Sequence, residues 1–236
     1  MKITRQELQR LRQRHRGYRI TLGVELGVLL LLPLAQSTPW LLSVLWVVLA
    51  AELMFFLSRF SALGRRSLMY SLGGLAILLE ITWHLTLVLL PSVGRALTLP
   101  HVMVWVAFLL VTVIRKVKSL VREPFVTFSV VLGAASGYLS IGLAGGVMLT
   151  ALWVLHPAAF VASALPPVSA AGDLTVAIAP ALTAAAFSLL TTVGSNVLDS
   201  ANVTAQVVSN LITIAGQLYV AILIGLILGR MHQRVL

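Results

Sequence analysis

The sequence predicts an all-α integral membrane protein of six transmembrane helices, with a short re-entrant helix and a loop between the fifth and sixth. Three observations carry this reading. The 236 residues are 59% hydrophobic and only 10% charged, with a mean hydropathy of +1.00, far more apolar surface than a soluble core of this length can hide. Five apolar runs reach the roughly 20 residues that cross a bilayer's hydrocarbon as a helix, and a sixth closes the chain. Before that last run, an apolar stretch of about three helical turns, too short to cross, stops at Thr191-Thr192-Val193-Gly194.

The elements follow in order. Residues 1–17 are a basic segment with Lys2, Arg5, Arg10, Arg12, Arg14 and Arg16; it reads either as an amphipathic helix lying on anionic lipid or as a solvated tail that fixes topology. No small-residue cleavage site follows the first apolar run, so that run is expected to be a retained helix rather than a signal peptide. The spans are placed near 18–35, 40–58, 67–90, 101–120, 125–155 and 205–229. They group as a peripheral four-helix bundle over 18–122, a unit over 123–230 that carries the re-entrant element, and a short tail over 231–236. With six crossings, Arg59, Arg65, Arg66, Arg115, Lys116, Lys118, Arg122, Arg230 and Arg234 share one side with the N-terminal arginines, whereas the opposite loops hold only Arg95. The positive-inside rule then makes both termini cytoplasmic. This distribution also explains the net charge of +10 without nucleic acid. The absence of cysteine excludes disulfides and thiol chemistry.

The texture changes at 156–180, where His156-Pro157, Pro166-Pro167, Gly172 and Asp173 interrupt the apolar pattern. Pro180 suits the first turn of a helix over 180–190. Non-helical backbone after it is tolerable at membrane depth only where protein or water shields it. A run of Thr, Val and Gly can turn successive carbonyl oxygens toward one axis and replace the water shell of an ion.

From Leu190 to Gly229 the residues LTTVGSNVLDSANVTAQVVSNLITIAGQLYVAILIGLILG resemble, without a gap, the filter and inner helix of the bacterial potassium channel pore-domain family. Gly137 to His156-Pro157 is similar to that family's outer helix, so the resemblance covers about 125–230. It implies a homotetramer in a prokaryotic-type cell membrane, since one chain supplies one wall of a four-fold pore. It also implies a selectivity filter of Thr191, Thr192, Val193, Gly194, Ser195 and Asn196, with K+, or Na+, as the permeant ion and no other cofactor or metal. The helix before the filter would aim the negative end of its dipole at the cavity.

The chain departs from the family pattern where tyrosine, glycine and aspartate are expected and Ser195, Asn196 and Val197 stand. Asn tolerates the positive φ that the glycine would supply. Ser195 cannot supply the aromatic brace, and the preceding Ala184-Ala185-Ala186-Phe187 holds no Trp. The expected function is passive K+ transport with weak or no voltage dependence. A non-selective monovalent cation channel, or a non-conducting structural or regulatory subunit, is the alternative.

Other residues carry paired readings. Gly216, near the middle of the last span, is a gating hinge or a close helix contact. Thr213 and Gln217 face the cavity or hydrogen-bond within the bundle. Glycines of the fifth span permit close packing. Glu25 and Glu52 lie at about the depth of Arg115 and call for ion pairing inside the bundle. Glu80 and His84, four apart, can hydrogen-bond to each other. The cations of span 4 cluster at its cytoplasmic end, unlike a voltage sensor. No two related halves appear, as a transporter would show, and neither H-E-x-x-H nor G-x-S-x-G occurs, so an enzyme is not expected.

Overall fold

A computed structural model describes residues 5–60, 66–123, 127–165 and 174–232. These residues are almost wholly helical and hold no strand. The helices are α1 (Arg5–Ser37), α2 (Pro39–Phe60), α3 (Arg66–Leu89), α4 (Pro91–Val121), α5 (Phe128–Leu155), α6 (Leu174–Leu190) and α7 (Val203–His232), with two short 3-10 turns after α5. Five helices, α1, α3, α4, α5 and α7, are long and apolar enough to cross a membrane. The chain is an all-α, multi-pass membrane protein.

The helices pack through single stripes at helical spacing. On α1 the buried positions are Gly17, Thr21, Glu25, Val28, Leu32 and Ala35; on α3 they are Met69, Gly73, Ala76, Glu80, Trp83 and Leu87. Trp105, Leu109, Thr112, Lys116 and Leu120 continue the pattern on α4. The opposite faces of α1 to α4 expose Leu30, Val48, Leu78 and Met103, as helices facing hydrocarbon do. The largest buried cluster joins α1 to α4 around Trp46, Leu53, Trp105 and Phe108 and continues into Leu143 and Val147 of α5 and Ala179 of α6. A second cluster unites α5, α6 and the start of α7.

Three sequence boundaries are corrected. α1 is one continuous helix from Arg5, so the basic N-terminal segment is the first part of the first long helix and not a separate unit. Pro33 lies inside it, because proline removes one hydrogen bond and the surrounding apolar packing retains the rest. α4 likewise begins at Pro91, ten residues before the expected start, with Pro100 inside it. α6 starts at Leu174 rather than Pro180, which is buried in mid-helix. The Pro166-Pro167 and Gly172-Asp173 signals, and the tail beyond His232, lie outside the described residues.

Candidate functional site

α6 runs antiparallel to α5. Thr183 lies on Gly146, and the Phe187 ring fills the space that a side chain at Gly142 would take. Gly142 is near the middle of α5, and Leu190, the last residue of α6, meets Gly216 near the middle of α7. The helix therefore ends at mid-height of both long neighbours. The chain then returns to the end of α5: Phe160 pairs with Leu198, Val161 N–H donates to the Val197 carbonyl, and Asp199 N–H to the Ala159 carbonyl. Phe160 itself folds back edge-on over Trp153 at 5.4 Å.

How α6 ends decides what the loop offers. Thr192 N–H donates to the Leu189 carbonyl and Val193 N–H to the Ser188 carbonyl, both at 3.0 Å, which is a Schellman termination with Thr192 in the position glycine usually holds. Thr192 accordingly has φ +61° and Gly194 φ +87°. Left-handed backbone is rare for a β-branched residue, and here the two capping bonds hold it. Gly194 N–H also turns back, to Ser188. The positive φ expected at Asn196 is not found; it falls at Thr192, because the helix terminates there.

Hydroxyl groups from both flanking helices complete the cap. Tyr138 of α5 donates to the Leu190 carbonyl at 3.0 Å, Thr213 of α7 to Leu189 at 3.1 Å, and Thr191 to Phe187 at 3.0 Å. All four carbonyls from Phe187 to Leu190 are thus satisfied. Thr213 takes the bundle-facing of its two readings. Gly216 sits where any Cβ would come within 2.9 Å of the Leu190 carbonyl, a close contact that lets α7 cross the end of α6.

The amides of Thr192, Val193 and Gly194 turn back onto α6, and that of Val197 donates to Ser195. Among the described residues, no hydrogen bond reaches the carbonyls of Thr192 to Asn196. Thr191, Thr192, Val193, Gly194 and Asn196 are exposed, Val193 at 81%. Ser195 is half-buried, its hydroxyl accepting from Val197 N–H at 3.3 Å. Carbonyl oxygens without a donor are of the kind that can coordinate a hard cation. α7 beside it is the least buried of the five helices of spanning length. One face of α7 exposes Val203, Val207, Leu211, Ile214 and Leu218; next to it Asn210 and Gln217, seven apart, are exposed as well.

The membrane carboxylates find partners other than those expected. Lys116, not Arg115, pairs with Glu25, at 2.8 Å. Lys116 lies on the core stripe of α4, and its ammonium also reaches the Ser136 and Ser140 hydroxyls of α5 at 2.7 and 2.9 Å. Ser140 donates to Glu25 in turn. The pair is therefore a tie between α1, α4 and α5 rather than a contact inside the four-helix bundle. Arg115 is buried on the same turn. Glu52 accepts from Thr21 at 2.6 Å. Glu80 bonds to His101 of α4 at 2.8 Å and not to His84, which meets Ser43 of α2 at 3.2 Å. Four residues of helix carry a side chain about 40° round the axis, enough here to aim Glu80 at α4 and His84 at α2. The sequence reading missed a fourth cluster: Glu123, buried beyond α4, meets Arg14 at 3.4 Å, and Tyr18 meets Ser119 at 2.8 Å. These contacts bring Arg12, Arg16, Arg19, Lys118 and Arg122 to one end of the molecule.

Comparison with family models, curated proteins and solved structures finds no match for the chain.

Proposed function

We propose that four copies of this chain form a cation channel, with α6 as a re-entrant pore helix, residues 191–196 as the filter and α7 as the inner helix. The single observation that carries this reading is the loop after α6. It lies at mid-height of two helices of spanning length, with the amides of Thr192 to Gly194 turned back onto α6 and five consecutive carbonyls without hydrogen-bond partners among the described residues. In a membrane such backbone is stable only when it lines water or faces protein, and symmetry-related copies around one axis supply both. The exposed apolar stripe of α7 then meets a neighbouring subunit, and Asn210 and Gln217 line the aqueous cavity below the filter. α2, of 22 residues, completes six crossings. The basic residues gathered at one end support a cytoplasmic location for that end, and with six crossings for both termini.

K+ is the proposed permeant ion. Support comes from Gly194 at positive φ and from the hydroxyl clamp on the end of α6, which offers a brace where the aromatic one is absent. A second reading, a filter that passes monovalent cations without selection or does not conduct, is favoured by Ser195 and Asn196 themselves. Among the described residues, the Ser195 hydroxyl bonds within its own loop, and the Phe187 ring packs on Gly142.

The test is cation flux through purified protein in liposomes under K+ and Na+ gradients, with Gly194→Ala as the control. K+ flux above Na+ flux, lost in the variant, is the expected result. Equal fluxes lost in the variant support the unselective pore. No flux from a correctly assembled tetramer supports the non-conducting subunit, and a monodisperse monomer in a bilayer overturns the reading altogether.

A further inference from the structure

The outward side of α1 changes character along its length. Arg12, Arg16 and Arg19 are exposed on it, followed by Gly23 and then by Leu26 and Leu30, the two leucines at 43% and 79% exposure. At about 100° per residue these six positions lie within about 40° of one direction, and the buried stripe of α1 faces the opposite way. Arg14 lies off this direction and turns to the buried Glu123. Among the described residues, no ion pair holds Arg12, Arg16 or Arg19. At Gly23, the step from arginine to leucine, an added Cβ would meet nothing within 4 Å. A shallow notch of bare backbone therefore separates the charged part of this face from the apolar part.

We propose that this face of α1 is a docking site for one anionic phospholipid, with its phosphate among the three guanidinium groups, its glycerol over Gly23 and an acyl chain along Leu26 and Leu30. Helix length sets the depth. Between Arg19 and Ser37, the end of α1, the axis rises about 27 Å, close to the roughly 30 Å of bilayer hydrocarbon. Arg19 then stands at the hydrocarbon boundary, and Arg16 and Arg12 stand about 5 and 10 Å further out, through the headgroup layer. Because α1 is one continuous helix, the arginines are held at those depths by the spanning part. Guanidinium groups without a carboxylate partner suit a phosphate, and favour one whose headgroup brings no cation of its own. The leucines decide for a lipid. A soluble phosphate ester or an acidic protein segment would gain the arginines and leave Leu26 and Leu30 unused. The site is independent of the loop after α6 and of its conduction.

The full-length protein in neutral detergent is titrated with dioleoyl phosphatidylglycerol or with phosphatidylcholine of the same chains, and bound lipid is counted by native mass spectrometry. Phosphatidylglycerol is expected to bind at least about tenfold more tightly. Replacing Arg12, Arg16 and Arg19 together by Gln should remove that preference. Replacing Lys118 and Arg122 by Gln, both exposed at the same end on α4, should change it less than about twofold. Gly23→Trp fills the notch without altering charge and should weaken phosphatidylglycerol at least about threefold. Equal binding of the two lipids, or a preference that survives the triple substitution, overturns the proposal. So does an equal loss in the Lys118 and Arg122 variant, which would leave only general surface charge, or displacement by glycerophosphoglycerol at the lipid's own concentration, which would assign the arginines to a soluble anion. If the triple variant does not fold by circular dichroism and gel filtration, the headgroup comparison and Gly23→Trp decide the question.

Discussion

Replacing Lys116 by Met tests whether the buried tie between α1, α4 and α5 is an ion pair that the fold depends on. The ammonium is within 2.9 Å of Glu25, Ser136 and Ser140, and its side chain and that of Glu25 are 3% and 0% exposed. Met keeps most of the apolar stem and removes the charge. Glu25 is then left with the Ser140 hydroxyl and no cation among these contacts. Breaking one side of a buried pair costs about 3–5 kcal/mol, because the surviving charge is uncompensated. At about 2–4 °C per kcal/mol for a chain of this size, the melting temperature should fall by about 6–20 °C. Adding Glu25→Gln to Lys116→Met removes the stranded charge, and replacing a buried pair by neutral groups is often nearly neutral in stability. The double variant is therefore expected within about 2 kcal/mol of the parent, and more stable than Lys116→Met alone. Thermal unfolding of the detergent-solubilised protein, followed by circular dichroism, gives all four corners of the cycle. Strict additivity, with each single substitution costing under about 1 kcal/mol, would refute the argument and show that the contact carries no coupling.

Two further outcomes follow from the cap of α6. Tyr138→Phe and Thr213→Val each remove one hydroxyl from a carbonyl at the end of α6; each should cost about 0.6–1.5 kcal/mol of thermal stability, and the pair together should lower the K+ to Na+ flux ratio more than either alone. Thr192→Gly relieves left-handed backbone at φ +61° and should raise stability by about 1 kcal/mol, read as a higher melting midpoint; a lower midpoint would show that the Thr192 side chain contributes more than its backbone costs.

Much of the fold was legible because membrane solvent imposes a coarse rule. Long apolar runs become helices, and α3, α5 and α7 fall close to their expected limits. The errors came where a local rule competed with packing. Pro180 is a good first-turn residue, but Leu174 to Ala179 are apolar enough to extend the helix ahead of it. Glu80 and His84 are neighbours on an isolated helix, yet α3 is packed by α2 on one side and α4 on the other, and each side chain follows the helix it faces. Lys116 was available to spacing, since Trp105, Leu109, Thr112 and Lys116 form one stripe. Depth alone favoured Arg115 and could not distinguish two cations 100° apart on the axis. The hydroxyl cap was half visible: Thr213 was recognised as a polar group with two possible roles, whereas Tyr138 lies 52 residues from the carbonyl it meets, and no local pattern announces such a pairing.

α1 touches more than its bundle neighbours. Glu25 is tied to Ser140 of α5, and the Tyr18 ring occupies the space left by Gly133 of α5. The first helix of the chain is thus a structural part of the second half. A cut at residue 123, placed where a sequence boundary invites it, would strip α5 of the surface on which its serines are satisfied. Recombining this half with another peripheral bundle should consequently fail unless α1 and α4 travel with it, since Lys116 of α4 compensates Glu25 and reaches the same serines.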